Sequence, residues 1–297
     1  LRCLVGSEMC IRDKFKSKRD FCQQEIQKKE AVIKNLDTHI LRMEQAKRKE
    51  KSPTGVPVKA LSILCCPNCG ASFSMQDVEM DQRFLYKGAL SCKCGYYAKI
   101  SSGILMTPNK NQNLQDTPDL TRELYKDLPP DLISMFERSY NWMLEKMNQV
   151  NLHGKVIAET YINAWFFMHN HLQTLPTDSL YIVIDKYPET LLMYKHLIEK
   201  QKPELDILYI ADSSTKFPLK AHCIDLHLDF FATNEHNFYH DTFLYERLTP
   251  FLKEHADLIG TYFYFSHAQK SMRSLLSQYP ECSGLVCALT YFKNSLT

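Results

Sequence analysis

Hydrophobic positions along the chain fall into three regimes. Between residues 14 and 51 there is neither Gly nor Pro, and Lys, Glu and Gln are frequent. Phe15, Cys22, Leu36 and Met43 recur at one seven-residue spacing, and Ile26, Ile33 and Ile40 at another, four residues on. Two interlocked series predict the d and a positions of a coiled coil, interrupted at Arg19, Lys29 and Lys47. The charged outer faces favour a seam between two helices over a single amphipathic helix docked on its own chain. SPTGVP, residues 52–57, ends that helix. A second regime covers residues 61–107, where short apolar stretches around Phe73, Val78, Phe84, Leu85 and Leu90, and again over 96–105, predict strands. Residues 108–118 are polar and predict a linker.

From residue 119 onward the pattern changes again. Residues 120–150 predict a helical stretch broken at Pro129 and Pro130, with Leu132, Phe136, Tyr140, Met143 and Met147 on its apolar face. Beyond Gly154, short apolar runs at 155–159, 180–185, 206–211, 222–228, 257–265 and 285–292 alternate with helical stretches at 165–172, 188–200, 241–255 and 268–279. Repeated β then α predicts an open, mostly parallel, doubly wound sheet with helices on both faces. Any ligand site would then lie at the strand carboxyl ends.

Composition narrows this picture. The 297 residues are 44% hydrophobic, enough for a sizeable core, which excludes general disorder. The chain holds only 9 glycines, about 3% against an average of roughly 7%, and none form a GxGxxG or Walker loop. A net charge of +2 hides an asymmetry: residues 14–51 carry 12 Lys+Arg against 6 Asp+Glu, whereas residues 52–297 carry 22 against 26. Scattered lysines on a helix predict a solvated face rather than a nucleic-acid patch. There is no apolar run of membrane-spanning length and no signal-peptide pattern, so the cytoplasm is the expected compartment. Residues 1–13 show no continuity of pattern with the helical segment after them. The run from Cys3 to Asp13 resembles a translated sequencing-adapter read-through, so this segment is expected to be non-native and the true N-terminus missing. The alternative is a native, untied extension.

The strongest chemical signal is Cys66-Pro67-Asn68-Cys69-Gly70 followed by Cys92-Lys93-Cys94-Gly95. Two such turns bring four thiolates to one point, with each Gly taking a positive φ, so Cys66, Cys69, Cys92 and Cys94 are the expected ligands of a structural Zn2+. Four sulfurs leave no open position. Residues 61–107 are therefore read as a zinc ribbon, with Cys65 a neighbour outside the set. A redox dithiol would need a βαβ context and a DNA-contacting finger a basic helix, and neither pattern is present here.

GKVIAET (154–160), YIVIDKYPETL (181–191) and LYIADSSTKFPL (208–219) resemble the first three signature segments of class I S-adenosylmethionine methyltransferases. The resemblance implies a Rossmann-like, methyltransferase-type domain over residues 119–297. It also implies cofactor-binding roles for Asp185, at the ribose hydroxyls, and Asp212, near the adenine amine. Each acid has an alternative role as an ordinary cap or loop residue. The family's E/DxGxGxG loop corresponds to residues 159–165, where Tyr161, Asn163 and Trp165 occupy the glycine positions. Such side chains fill cofactor volume, so S-adenosylmethionine is not expected to bind, and no catalytic residue is assigned.

A CPxCG ribbon with a trailing SSGILMT is similar to ribbons attached to bacterial methyltransferases. A coiled coil before both looks like a subset of MerR-family transcription regulators. That resemblance implies a homodimer through residues 14–51, DNA contact only through a missing upstream winged helix, and a small-molecule effector or a role in dimer geometry for residues 119–297. The competing expectations are an active methyltransferase with an atypical loop and a zinc-stabilised scaffold. Asp225, Asp229, Asn234, Glu235, His236 and His240 fall in the fourth segment. The two histidines there are not expected to hold a metal, His169 and His171 are read as helix-surface residues, and residues 262–265 as sheet core.

Overall fold

The structure is a computed structural model that describes residues 2–47, 54–123, 126 and 128–263, in two compact units that divide between residues 51 and 52. The first unit is a single helix, α1 (Arg2–Lys47). It passes through residue 14 unbroken, so the sequence boundary there coincides with no change of backbone. Phe15, Ile26, Ile33, Leu36 and Cys22 stand exposed along α1. The Ile40 and Met43 side chains lie outside the described ones.

The second unit is built on one sheet of ten strands: β1 (Val56–Pro57), β2 (Ser74–Met80), β3 (Phe84–Ser91), β4 (Tyr97–Ser101), β5 (Ile104–Met106), β6 (Val156–Thr160), β7 (Leu180–Asp185), β8 (Asp206–Ala211), β9 (Ile224–Phe230) and β10 (Leu252–Thr261). The five strands β8-β7-β6-β9-β10 lie side by side in that order, every pair parallel. Counted from β6 this is 3-2-1-4-5, the doubly wound order, and it reverses direction between β6 and β9. The ribbon strands continue the same sheet. β5 pairs parallel with β8, Ile104 opposite Tyr209, and β4 and β3 follow antiparallel. Residues 61–107 thus extend the α/β sheet, and the segments read from sequence as ribbon, linker and α/β domain share one compact unit.

Alternation along the strands decides the two faces. Leu180, Ile182 and Ile184 of β7 join Leu208 and Ile210 of β8 in one core, with Leu244 and Leu248 of α5 (Leu244–Leu248), the short helix after α4 (Ala232–Tyr239). Tyr181 and Val183 join Ile207 and Tyr209 in the other, under Met143 and Met147 of α2 (Pro130–Met147) and Leu191 and Ile198 of α3 (Pro188–Gln201). Every β7 residue is buried, as parallel strands covered on both faces require.

β7 and β8 match their expected spans, and β6 begins one residue later than expected. Other elements differ: the strand expected over 257–265 is β10, Leu252–Thr261, and of the helical stretch expected over 120–150 only Pro130–Met147 is α-helix among the described residues. The helix expected over 241–255 is only α5, closed by a tight turn at Thr249–Phe251, and residues 252–255 already belong to β10. Pro250 supplies no amide hydrogen to carry the helix on. Residues 165–172 form no α-helix; a 3-10 turn spans Met168–Thr174, and His171 leaves helical geometry. β9 starts at Ile224 rather than at residue 222, where His222 takes φ 54°. The strand expected at 285–292 and the helix at 268–279 lie outside the described residues.

Candidate functional site

The four-cysteine cluster assembles at the end of the sheet. The sulfurs of Cys66, Cys69, Cys92 and Cys94 all lie within 4.8 Å of one another. Cys66 Sγ is 3.3 Å from Cys94 Sγ and Cys69 Sγ 3.4 Å from Cys92 Sγ, far beyond a disulfide bond. A tetrahedral zinc with bonds of about 2.3 Å separates its sulfurs by about 3.8 Å, inside that range. Each turn closes through its glycine: Gly70 N donates to Cys66 O at 2.8 Å and Gly95 N to Cys92 O at 2.9 Å, with φ of 72° and 92°. The Tyr96 amide donates to Cys94 and holds its thiol down at about 7. Cys65 is outside the cluster, buried, its amide donating to Pro218 O at 3.2 Å. The donor set fits a thiophilic divalent ion with no position left for substrate.

A second candidate lies at the carboxyl edge near the reversal between β6 and β9. The loop leaving β6 carries no glycine, and Tyr161 adopts φ 56°, the left-handed region that favours glycine. Its ring is buried, and its hydroxyl donates to His236 Nδ1 at 2.7 Å. His236 Nε2 in turn donates to Thr242 O at 2.8 Å, which fixes the tautomer, and burial pushes the imidazole down to about 4, so it stays neutral. Beyond Tyr161, internal carboxylates take up the loop amides. Asn163 N donates to Asp185 Oδ2 at 2.8 Å, and the Ala164 amide to Glu235. Phe167 N and Met168 N donate to the two oxygens of Glu159 at 2.6 and 3.0 Å.

These acids are expensive to bury, and their protonation shows it. Desolvation pushes Glu159 up to about 8, against the pull of the two amides. Asp185 rises to about 7, through burial opposed by the Tyr187 and Asn163 amides, and Glu235 to about 8, through desolvation and the nearby Asp185.

Asp185 ends β7 and Asp212 directly follows β8, and each is engaged by its own loop. Asp185 caps the next turn, accepting from Tyr187 N at 2.9 Å. Asp212 accepts from Thr107 Oγ1 at 2.6 Å and from Ser214 N and Oγ at 2.6 and 2.8 Å. In this structure both side chains act as caps on their loops.

The polar segment read as a linker lies across these strand ends. Thr107 N donates to Ala211 O, Ser213 N to Asn109 O, and Asn111 N to Lys186 O, at 2.8–3.1 Å. Asp116 accepts from Lys186 Nζ at 2.8 Å and from Tyr187 OH at 2.6 Å. Arg122 hydrogen-bonds Asn163 O and, at 2.6 Å, Tyr194 OH. Sequence reasoning missed this strap. Its available signal was the density of Asn and Asp, which form local side-chain turns, as Asn111 and Asn113 do here.

A second buried chain runs beneath the edge: Thr160 Oγ1 to His227 Nε2 at 3.2 Å, His227 Nδ1 to Tyr245 OH at 3.3 Å, and Tyr245 OH to Asp229 Oδ2 at 3.1 Å. Burial holds His227 neutral, down at about 3. His236 and His240 stack face to face, 4.4 Å between centroids, in no metal-ligating cluster among the described residues. His169 and His171 are half-buried against Phe166 and Tyr140 rather than on an open surface. Asp225 accepts from Val156 N at 2.9 Å and Asn234 Nδ2 donates to Phe263 O at 2.8 Å, both structural ties.

No protein-family model matches the sequence, and no curated protein matches it. Among solved structures, a proposed S-adenosyl-L-methionine-dependent methyltransferase from Methanococcus maripaludis matches at 11% identity and a TM-score of 0.34, covering 54% of this chain and 76% of that one. The doubly wound assignment rests on the strand order of this chain itself. No helix among the described residues is long and apolar enough to cross a membrane.

Proposed function

We propose that residues 52–297 are a non-catalytic, methyltransferase-type α/β body braced by a structural zinc, and that the chain serves as a dimeric, MerR-type transcription regulator. In that reading α1 forms the dimer, DNA is contacted by a winged helix upstream, and the α/β body sets dimer geometry or answers a small-molecule effector. The regulator part rests on the sequence resemblance. The non-catalytic part rests on one observation: the loop after β6 has its amides at 163, 164, 167 and 168 turned onto Asp185, Glu235 and Glu159. Those four amides are withheld from a ligand, and Tyr161 occupies the space a glycine would leave open. For the metal, Cys66, Cys69, Cys92 and Cys94 would hold zinc, which supplies cross-linking of two turns and no chemistry.

The 3-2-1-4-5 order, with Asp185 ending β7 and Asp212 directly after β8, favours a second reading, an active methyltransferase whose loop rearranges on binding. Calorimetry of the full chain with S-adenosylmethionine separates the two. The expected result is no heat of binding; a micromolar dissociation constant refutes the non-catalytic reading.

A further inference from the structure

We propose that the four-cysteine centre is a latch on the carboxyl edge of the sheet: with its ion bound, it fastens the segment 107–116 over the ends of β7 and β8, and loss of the ion releases that segment. The inference rests on the reading of the cysteine cluster as a metal site and assigns it a regulatory consequence.

The relay runs through the loop 212–220, which comes directly after β8. On one side the three residues that lead into the first cysteine turn, Ile63, Leu64 and Cys65, pair with this loop. Cys65 N donates to Pro218 O at 3.2 Å, Lys220 N donates to Ile63 O at 2.8 Å, and Leu64 bridges Leu219. On the other side the same loop holds the strap. Ser213 N donates to Asn109 O at 3.1 Å, Asn109 Nδ2 to Ser214 Oγ at 3.0 Å, and Thr107 Oγ1 to Asp212 at 2.6 Å. A residue beside the second cysteine turn reaches the same place. Tyr96, directly after that turn, lies with its ring 5.7 Å from Phe73 and belongs to the same buried cluster as Leu64 and Leu219.

Metal loss is chemically accessible, because Cys69 and Cys94 are exposed. Without the ion, four thiols packed within 4.8 Å have no common partner, and the two turns are free to separate. The ladder β6-β7 is independent of the turns: both its faces are covered by buried apolar residues of the two cores. Release is therefore expected to be local, uncovering Asp185, Lys186 and Asp212 while the sheet persists.

The test uses the full chain. Elemental analysis comes first: about one zinc per chain, lost in Cys66→Ser/Cys94→Ser, is expected, and metal-free protein at purification would refute the metal site itself. Hydrogen exchange by mass spectrometry then compares zinc-loaded protein with protein stripped by EDTA. Peptides covering 107–113 and 212–220 should exchange at least tenfold faster once stripped, those covering 156–160 and 180–185 should not change, and added zinc should restore protection. Unchanged exchange at 107–113 in stripped protein overturns the latch while leaving the metal site standing. So does acceleration spread equally over β6 and β7, which makes the ion a staple of the whole sheet.

Discussion

Replacing Tyr161 with Gly asks whether the closed loop is held by packing or merely blocked by a side chain. The substitution relieves the left-handed backbone at φ 56°, worth about 1 kcal/mol or more for a residue bearing a β-carbon. Against this, it removes a buried aromatic ring, and truncations of that size cost about 3–5 kcal/mol. It also takes the donor from His236 Nδ1, at 2.7 Å, leaving a buried acceptor unpaired; a hydroxyl-only deletion of this kind costs about 1–3 kcal/mol and overlaps the first figure. The balance is a loss of about 2–4 kcal/mol. Urea denaturation should show a lower midpoint for Tyr161→Gly, and Tyr161→Phe should fall between it and the parent. The glycine variant should still give no heat with S-adenosylmethionine, because Asp185, Glu235 and Glu159 continue to hold the loop amides. An unchanged or higher midpoint would mean that strain outweighs packing. Micromolar binding in the variant would mean that the tyrosine alone closed the site.

Buried acids and the exposed helix each give a further expected outcome. Glu159 keeps its proton up to about pH 8 when folded, above its ordinary 4.5, so its contribution to stability is complete below pH 4.5 and is lost as pH rises through 8. His227 and His236, depressed to about 3 and about 4, oppose this slope only up to their ordinary 6.5, so zinc-loaded protein should lose stability from pH 6.5 to 8.5. Glu159→Gln should flatten that fall by up to roughly 1.4 kcal/mol per pH unit, and an identical slope in denaturation midpoints would refute the assignment. For the helix, Ile26→Glu/Ile33→Glu places charge in the exposed seam of α1, and sedimentation should show monomers in place of dimers; an unchanged dimer moves self-association to another surface.

The elements most legible in the sequence are those whose local pattern is also their whole environment. β7 was legible because residues 180–185 are continuously apolar up to Asp185, and a parallel strand buried on both faces needs no alternation. α3 announced itself by Pro188 at its start and an apolar face at helical spacing. The cysteine turns were legible because spacing and glycine fix their geometry within five residues. The last helix before β10 was less so: Pro250 ends it, but Lys253, Glu254 and His255 look helical, and only pairing with β9 makes the segment a strand.

By itself, then, the sequence determined the doubly wound class, the four cysteines that cluster, and the misfit of Tyr161, Asn163 and Trp165 with a glycine loop. Tertiary structure alone decided that the ribbon continues the α/β sheet through β5 and β8, and that a polar stretch resembling a linker crosses the strand ends. It also decided that Asp185, Glu159 and Glu235 turn their side-chain oxygens onto the amides of one loop. The reason is physical: periodicity and spacing encode which residues turn inward, whereas hydrogen bonds between residues far apart in the chain depend on which backbone groups the packed sheet leaves without partners.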